Sequence, residues 1–460
     1  MQAPFDIAAD LDTPVSAYLK LGPLRPRFLL ESVEGGERLA RYSFLGFGDA
    51  VEVRMDATGF HIDGASEPRP TNQQQYLGAL RRVLELAPRP RPDDGLPFAG
   101  GLVGVTGYDV VRLFEDLPED TQKQTNIPDA AFVAPVSLLV FDHLTRRVAI
   151  LHDGPEEERQ RLRVEVVKCL RGSIPLTQHD VSISPATASF TEQEFSERVD
   201  ACKEYIAAGD IYQIVLSVLF RGETNVPPFE VYRALRLLNP SPYMFYFDFG
   251  DLQVVGSSPE ALVKLNGDAA SLRPIAGTLP RGATQHEDMA NEQALLADPK
   301  EAAEHVMLVD LARNDLGRVA TPGTIHVEPY RSIERYSHVM HIVSGVQGEL
   351  AKEFDQFDLF AASFPAGTLV GAPKVRAMQI IEEMEQVGRG LYAGTAGYFG
   401  LSGDMDQAIT IRTLVFSGDE YSFQAGAGIV ADSVPAREYQ EVLAKSAILK
   451  RALEIAGEGL

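Results

Sequence analysis

Residues 243–267 read YMFYFDFGDLQVVGSSPEALVKLNG, and this stretch decides the fold class. Its apolar runs are rich in aromatic and β-branched residues and are divided by short Gly, Asp, Ser and Pro turns, the pattern of antiparallel strands. It leaves no room for the helical crossover that adjacent parallel strands require.

The pattern extends back toward the N-terminus. RFLLES, GDAVEVRM, GFHIDG and VSLLVFDHLTRRVAILHDG precede it, and IYQIVLSVLFRGE occupies 211–223. Helices are predicted at 73–86, 299–316, 373–387 and 435–456. Thr191 and Glu194 form a capping-box pattern closed by Gly209. Asp298-Pro299 and Gly317 bracket the 299–316 helix, and Pro373 and Pro435 open the two later ones. Strand pairs outnumber strand–helix–strand units, so the class is α+β with large antiparallel sheets. Residues 1–150 read as an N-terminal strand-rich domain, 151–189 as a connector, and 190–460 as a second domain.

The chain has 460 residues, 45% hydrophobic content and a formal net charge of −23. No basic stripe is present, which argues against a nucleic-acid partner. No apolar run approaches the length of a membrane span, and the start lacks the pattern of a secretory signal. The two cysteines, Cys169 and Cys202, are too few for a disulfide framework. A reducing cytosol, and so a cytoplasmic location, is expected.

Several segments are candidates for chemistry. Glu301, Glu304, Leu308 and Leu311 share a helix face, as do Glu438, Glu441 and Lys445 near Val442 and Leu449. Two glutamate-bearing helices facing each other could hold a hard divalent ion. From spacing alone, a charged surface is the plainer reading. FPAGTLVGAPK (364–374) is a glycine-bearing loop leading into a helix, a place where an anion or a plain turn fits. QAGAGIVADS (424–433) formally matches a dinucleotide fingerprint, but its context lacks the second strand and the acidic residue that motif needs. Close backbone approach to a ligand fits Gly426 and Gly428 better. Arg412, in the strand-like ITIRTLVF, requires an ion-pair partner or an anionic ligand. His341, in an apolar run, reads first as a hydrogen-bonded core residue. No G-x-S-x-G, HExxH or CxxC is present.

Taken in order, DIYQIVLS, NPSPYMFYF, SSPEALVKL, RPIAGTLPRG, LLADPKEAAEHVMLVDLARNDLGRV, SHVMHIVSG, FPAGTLVGAPKVRAM, YAGTAGYF, DQAITIRTL and QAGAGIVADS with EYQEVLAK cover nearly all of 190–460. Through them the chain resembles the Mg²⁺-dependent chorismate-utilising enzymes, and among these the anthranilate synthases. FLLESVEGGERLARYSFLG (28–46) extends the resemblance, more loosely, into the N-terminal half. The resemblance implies a sandwich of antiparallel sheets with helices outside, chorismate as substrate and Mg²⁺ as cofactor.

Carried over position by position, it makes Glu304 and Glu441 metal ligands. Tyr392, Arg412, Gly426, Gly428 and Lys445 would hold substrate carboxylate, and Gly277, Thr278 and Thr368 would contact substrate. Glu260 becomes the acid assisting loss of the ring hydroxyl, and His341 a catalytic histidine for proton transfer. Water-adding relatives carry Lys where this chain has Gln213. Aminodeoxychorismate synthases often carry Lys where it has Ala276. Ammonia attack at C2 and an anthranilate product are therefore expected. Aminodeoxychorismate synthesis is the alternative, and a non-catalytic tryptophan-binding regulator is the alternative of another class. A glutamine amidotransferase subunit is the implied partner, in a hetero-oligomer. Tryptophan is the implied feedback inhibitor, at Leu30, Glu31, Ser32, Asn239, Pro240, Ser241, Tyr243 and Met244. Leu279, Val442 and Ala444 depart from the residues common in anthranilate synthases.

Overall fold

The computed structural model describes residues 5–34, 38–39, 41–91, 95–123, 127–174, 181–335 and 339–460. Residues 35–37 and 40 of FLLESVEGGERLARYSFLG, 175–180 of the connector and 337–338 of SHVMHIVSG lie outside the described residues.

The 243–267 stretch forms three strands, Tyr243–Asp248, Leu252–Ser258 and Ala261–Asn266. The first two make an antiparallel hairpin. The third does not continue it. After Ser258 the chain turns at Pro259 and joins another layer, where Ala261–Asn266 pairs with Met405–Ile409. The return passage follows the same corner: Met405–Ile409 lies in the second layer and Thr413–Ser417 in the first, paired with Leu252–Ser258. The two passages are bonded to each other, Ser257 N–H to the Arg412 carbonyl at 3.2 Å and Ile409 N–H to the Glu260 carbonyl at 3.0 Å. Chains that switch layers at a bend form the corners of a sandwich.

The first layer runs, strand by antiparallel strand, through Arg147–His152, Ala130–Asp142, Tyr42–Asp56, Pro26–Glu31, Tyr243–Asp248, Leu252–Ser258, Thr413–Ser417, Glu420–Ile429 and Gln213–Glu223. The second passes from the Ala130 end of that long strand through Gly101–Thr106, Thr395–Gly400, Met405–Ile409 and Ala261–Asn266. Phe28, Phe245, Val254 and Val415 of the first layer share a buried cluster with Val103, Val105 and Ala396 of the second. The α+β sandwich is therefore as expected, with period-2 alternation supplying its inner face.

Among the described residues, two strand pairings form the main seams between 1–150 and 190–460. Pro26–Glu31 pairs with Tyr243–Asp248, and Gly101–Thr106 pairs with Thr395–Gly400.

Helices cover the outside. Gln73–Leu86 forms with the expected bounds, and Pro299–Gly317 and Pro435–Glu458 begin at the predicted prolines. The Asp298 carboxylate accepts the N–H of Lys300 and Glu301, and Thr191 and Glu194 complete their capping box. The helix expected at 373–387 is shorter, Lys374–Met384, because Glu385 adopts extended backbone and turns its carboxylate inward to Ser217. Pro435–Glu458 packs on the Glu420–Ile429 strand, burying Val442 and Leu449. Pro299–Gly317 packs on a small sheet of Ile275–Pro280, Val339–Val343 and Ser332–Arg335.

Candidate active site

Glu420–Ile429 and Gln213–Glu223 pair in register, with Ser217 opposite Gly426 and Val215 opposite Gly428. A Cβ on Gly426 would stand 2.7 Å from the Leu216 carbonyl oxygen and 2.7 Å from the Tyr392 hydroxyl. One on Gly428 would stand 2.9 Å from the Gln213 amide nitrogen. The fingerprint-like glycines are thus strand residues over which two side chains close. The Gln213 amide reaches on to the Glu304 carboxylate at 3.4 Å. Lys445 Nζ donates to the Gly426 carbonyl at 3.0 Å and pairs with Glu441 at 2.8 Å.

The layer-crossing corner supplies further groups, which Lys445 influences electrostatically. The Thr368 hydroxyl donates to Glu260 at 3.0 Å. Burial pushes the Glu260 carboxyl up to about 7, against the pull of the Thr368 hydrogen bond, Arg412 and Lys445. Arg412 corrects its sequence reading. It is not mid-strand but in the corner between Ile409 and Thr413, with a left-handed φ of 50°. Burial lowers the proton affinity of its guanidinium, while Glu260 raises it.

His341 lies opposite Thr278 in the small sheet, where a bulge interrupts the pairing between Ala276 and Thr278. Gly277 occupies the bulge at φ +68°, a conformation that favours glycine. His341 Nδ1 is 3.2 Å from the Gly277 carbonyl and 2.9 Å from the Thr278 hydroxyl. A carbonyl only accepts, so the proton is assigned to Nδ1, which makes Nε2 the unprotonated nitrogen of the neutral ring. Burial lowers its pKa, as does Arg412, opposed by the Gly277 hydrogen bond and Glu334.

The donor set suits a hard divalent cation. Burial raises the proton affinity of Glu301, and the neighbouring Glu304 adds to this, against the weaker pull of Lys300. That local excess of negative charge is what a cation would offset. Among the described residues no three His, Cys, Asp or Glu side chains form a ready metal cage. Mg²⁺ ordinarily completes one or two carboxylates with water and substrate oxygens.

The inhibitor-assigned segments meet at the first seam. Leu30 is opposite Phe245, Glu31 is opposite Met244, and Val33 N–H donates to the Ser241 carbonyl at 3.0 Å. Arg236 donates to both oxygens of buried Glu31, at 2.9 and 3.1 Å, and the Tyr232 hydroxyl to one of them. Asn239 and Ser241 are both bonded to the Ser257 hydroxyl, at 2.9 and 2.8 Å. Ser32 follows at the strand's end and Pro240 is exposed. The eight residues do not share one face. Leu30 packs on the inter-layer core, and Tyr243 interacts with Asp406 of the opposite layer, on the other side of the sheet from Glu31 and Met244.

Sequence reasoning missed Glu385 and Arg389. They form a bidentate ion pair at 2.7 and 3.0 Å, with side chains only 3% and 1% exposed. Arg389 also donates to the Leu369 carbonyl at 2.7 Å and the Val215 carbonyl at 2.8 Å, and it lies over the rings of Tyr108 and Tyr392. Glu385 accepts from the Ser217 N–H and hydroxyl. Their one visible signal is the i,i+4 spacing of opposite charges, which in a sequence reads as a surface pair.

The family described as chorismate binding enzyme matches residues 25–451. Anthranilate synthase component 1 of Aquifex aeolicus is 45% identical over 98% of this chain and 94% of that protein. The Thermus thermophilus protein of the same name is 45% identical over 98% and 97%. The crystal structure of anthranilate synthase component I from Streptococcus pneumoniae superposes with a TM-score of 0.81 at 34% identity, covering 98% of this chain and 100% of that one. The menaquinone-specific isochorismate synthase of Escherichia coli shares the fold at a TM-score of 0.71 and 22% identity, over 96% of this chain and 92% of that one.

Proposed function

This chain belongs to the chorismate binding enzyme family, among the anthranilate synthase component 1 proteins, and from that membership we propose how its residues act. It converts chorismate to anthranilate, the first step of tryptophan biosynthesis. Ammonia attacks C2 of the ring, the C4 hydroxyl leaves, and elimination of pyruvate makes the ring aromatic. The observation that carries the residue assignment is the clustering of Glu260, Thr368, Arg412 and Lys445, a protonatable carboxyl set among cations in a family whose substrate is a dianion.

Glu260 gives its proton to the departing hydroxyl. A carboxyl titrating near neutrality is suited to that exchange. Arg412, Lys445, Tyr392 and the backbone at Gly426 and Gly428 hold substrate carboxylate, with Thr368, Gly277 and Thr278 against the ring. His341 Nε2 takes a proton as pyruvate departs. Glu304 and Glu441 would hold Mg²⁺, which when bound would neutralise the ring carboxylate. Gln213 is an uncharged amide where water-adding relatives carry a base, and Ala276 is a methyl group where a ring-attacking Lys would stand. Ammonia itself is thereby left as the nucleophile.

A component II glutamine amidotransferase supplies the ammonia, and the two chains form a hetero-oligomer in the cytoplasm. Tryptophan inhibits at the seam, with Glu31, Ser32, Asn239, Pro240, Ser241 and Met244 as contacts. Leu30 and Tyr243 then act from behind the sheet.

The test is direct. The purified chain with chorismate, Mg²⁺ and ammonium salt should produce fluorescent anthranilate and pyruvate, and EDTA should stop it. Glutamine should replace ammonium only when component II is added. Accumulating aminodeoxychorismate would overturn the assignment. Glu304→Gln should abolish Mg²⁺-dependent turnover, and near-normal activity would remove its ligand role.

A further inference from the structure

The Glu385–Arg389 pair sits behind the site and touches three of its supports. Through the Leu369 carbonyl, Arg389 holds the turn Gly367–Leu369, whose Thr368 hydroxyl meets Glu260. Through the Val215 carbonyl, and through Glu385 on Ser217, the pair grips the strand that begins at Gln213. Over the Tyr392 ring, 5.6 Å from its centroid, Arg389 backs the tyrosine whose hydroxyl stands over Gly426. The Tyr392 N–H also donates to the Arg389 carbonyl at 3.0 Å.

A buried ion pair is weak evidence of added stability, because desolvating two charges offsets much of their attraction. Its planar fork, by contrast, fixes several acceptors at once in a way that a lysine point charge does not. We propose that Glu385 and Arg389 are positioning residues for the reaction, setting Thr368, Tyr392 and Gln213 at their working distances without touching substrate. This rests on the assignment of Thr368 and Tyr392 to the substrate site.

Arg389→Lys keeps the charge and removes the fork. In the full chain with chorismate, Mg²⁺ and ammonium, it should raise KM for chorismate or lower kcat by on the order of tenfold to a hundredfold, the cost of a misplacement near 1 Å. The Thr368 hydrogen bond favours ionised Glu260, so loosening it moves the alkaline fall of kcat to higher pH. Thr368→Val should produce the same pH shift, and the double variant should lose less than the sum of the two single losses. Glu385→Gln, which keeps shape and one acceptor, provides a second, milder variant should Arg389→Lys not fold. Strictly additive losses, or a lowered Tm with wild-type KM and pH profile, would make the pair structural only. Wild-type kinetics for both Thr368→Val and Tyr392→Phe would instead remove the site assignment, and the positioning role with it.

Discussion

Glu260 shows how one residue exchanges stability for chemistry. Its carboxyl binds protons more tightly in the folded chain, near 7, than it would unfolded. Folded protein therefore holds more protons than unfolded protein between the two values. The stability contributed by its protonation is full below the unfolded pKa and is lost as pH rises through about 7. Glu260→Gln should accordingly raise Tm more near about pH 8 than near about pH 5. Turnover should fall by roughly 10²–10⁴-fold, the usual worth of a positioned acid. Thermal melts at the two pH values check the first, and anthranilate fluorescence the second. In the wild-type enzyme, kcat should decline as pH rises through about 7 and Glu260 loses its proton. A flat profile from about pH 6 to pH 9 would exclude it as the acid. Glu304, Glu441, His341 and Arg412 were legible as candidates because polar groups in apolar settings need a reason, whereas Glu260 and Tyr392 were named only through the family resemblance. The Arg389 fork was not legible, because a buried Arg–Glu pair and a surface one have the same spacing.

At the scale of elements, strands and helices were legible from periodicity and caps, whereas the corner was not. SSPE and ITIRT read as a turn and a strand, yet both are passages between layers, a distinction fixed by which strand the chain meets next rather than by local propensity. The glycine-bearing strand makes a sharper prediction. Gly426→Ala puts a methyl group against the Leu216 carbonyl oxygen and the Tyr392 hydroxyl, both at 2.7 Å. The first is backbone held in the strand pairing, so the pair must shift, at about 1–3 kcal/mol. Urea unfolding should show that loss, and KM for chorismate should rise as Tyr392 is displaced. Gly428→Ala meets only the movable Gln213 amide at 2.9 Å. It should cost less stability than Gly426→Ala while still disturbing the Gln213–Glu304 contact.

For the molecule as a whole, the two seams govern what the chain tolerates. Removing residues 1–150 would strip Tyr243–Asp248 and Thr395–Gly400 of a neighbour each. Their bared edges invite intermolecular pairing. The fragment 190–460 alone should aggregate, which light scattering would report, and monodisperse, active fragment would contradict this. The same seams carry a constructive consequence. A sheet edge that accepts its missing neighbour within one chain can accept it from another, since the ladder does not depend on covalent continuity. Co-expressed as separate polypeptides, the two halves should find each other by strand addition, and anthranilate production would then serve as a reporter of fragment complementation.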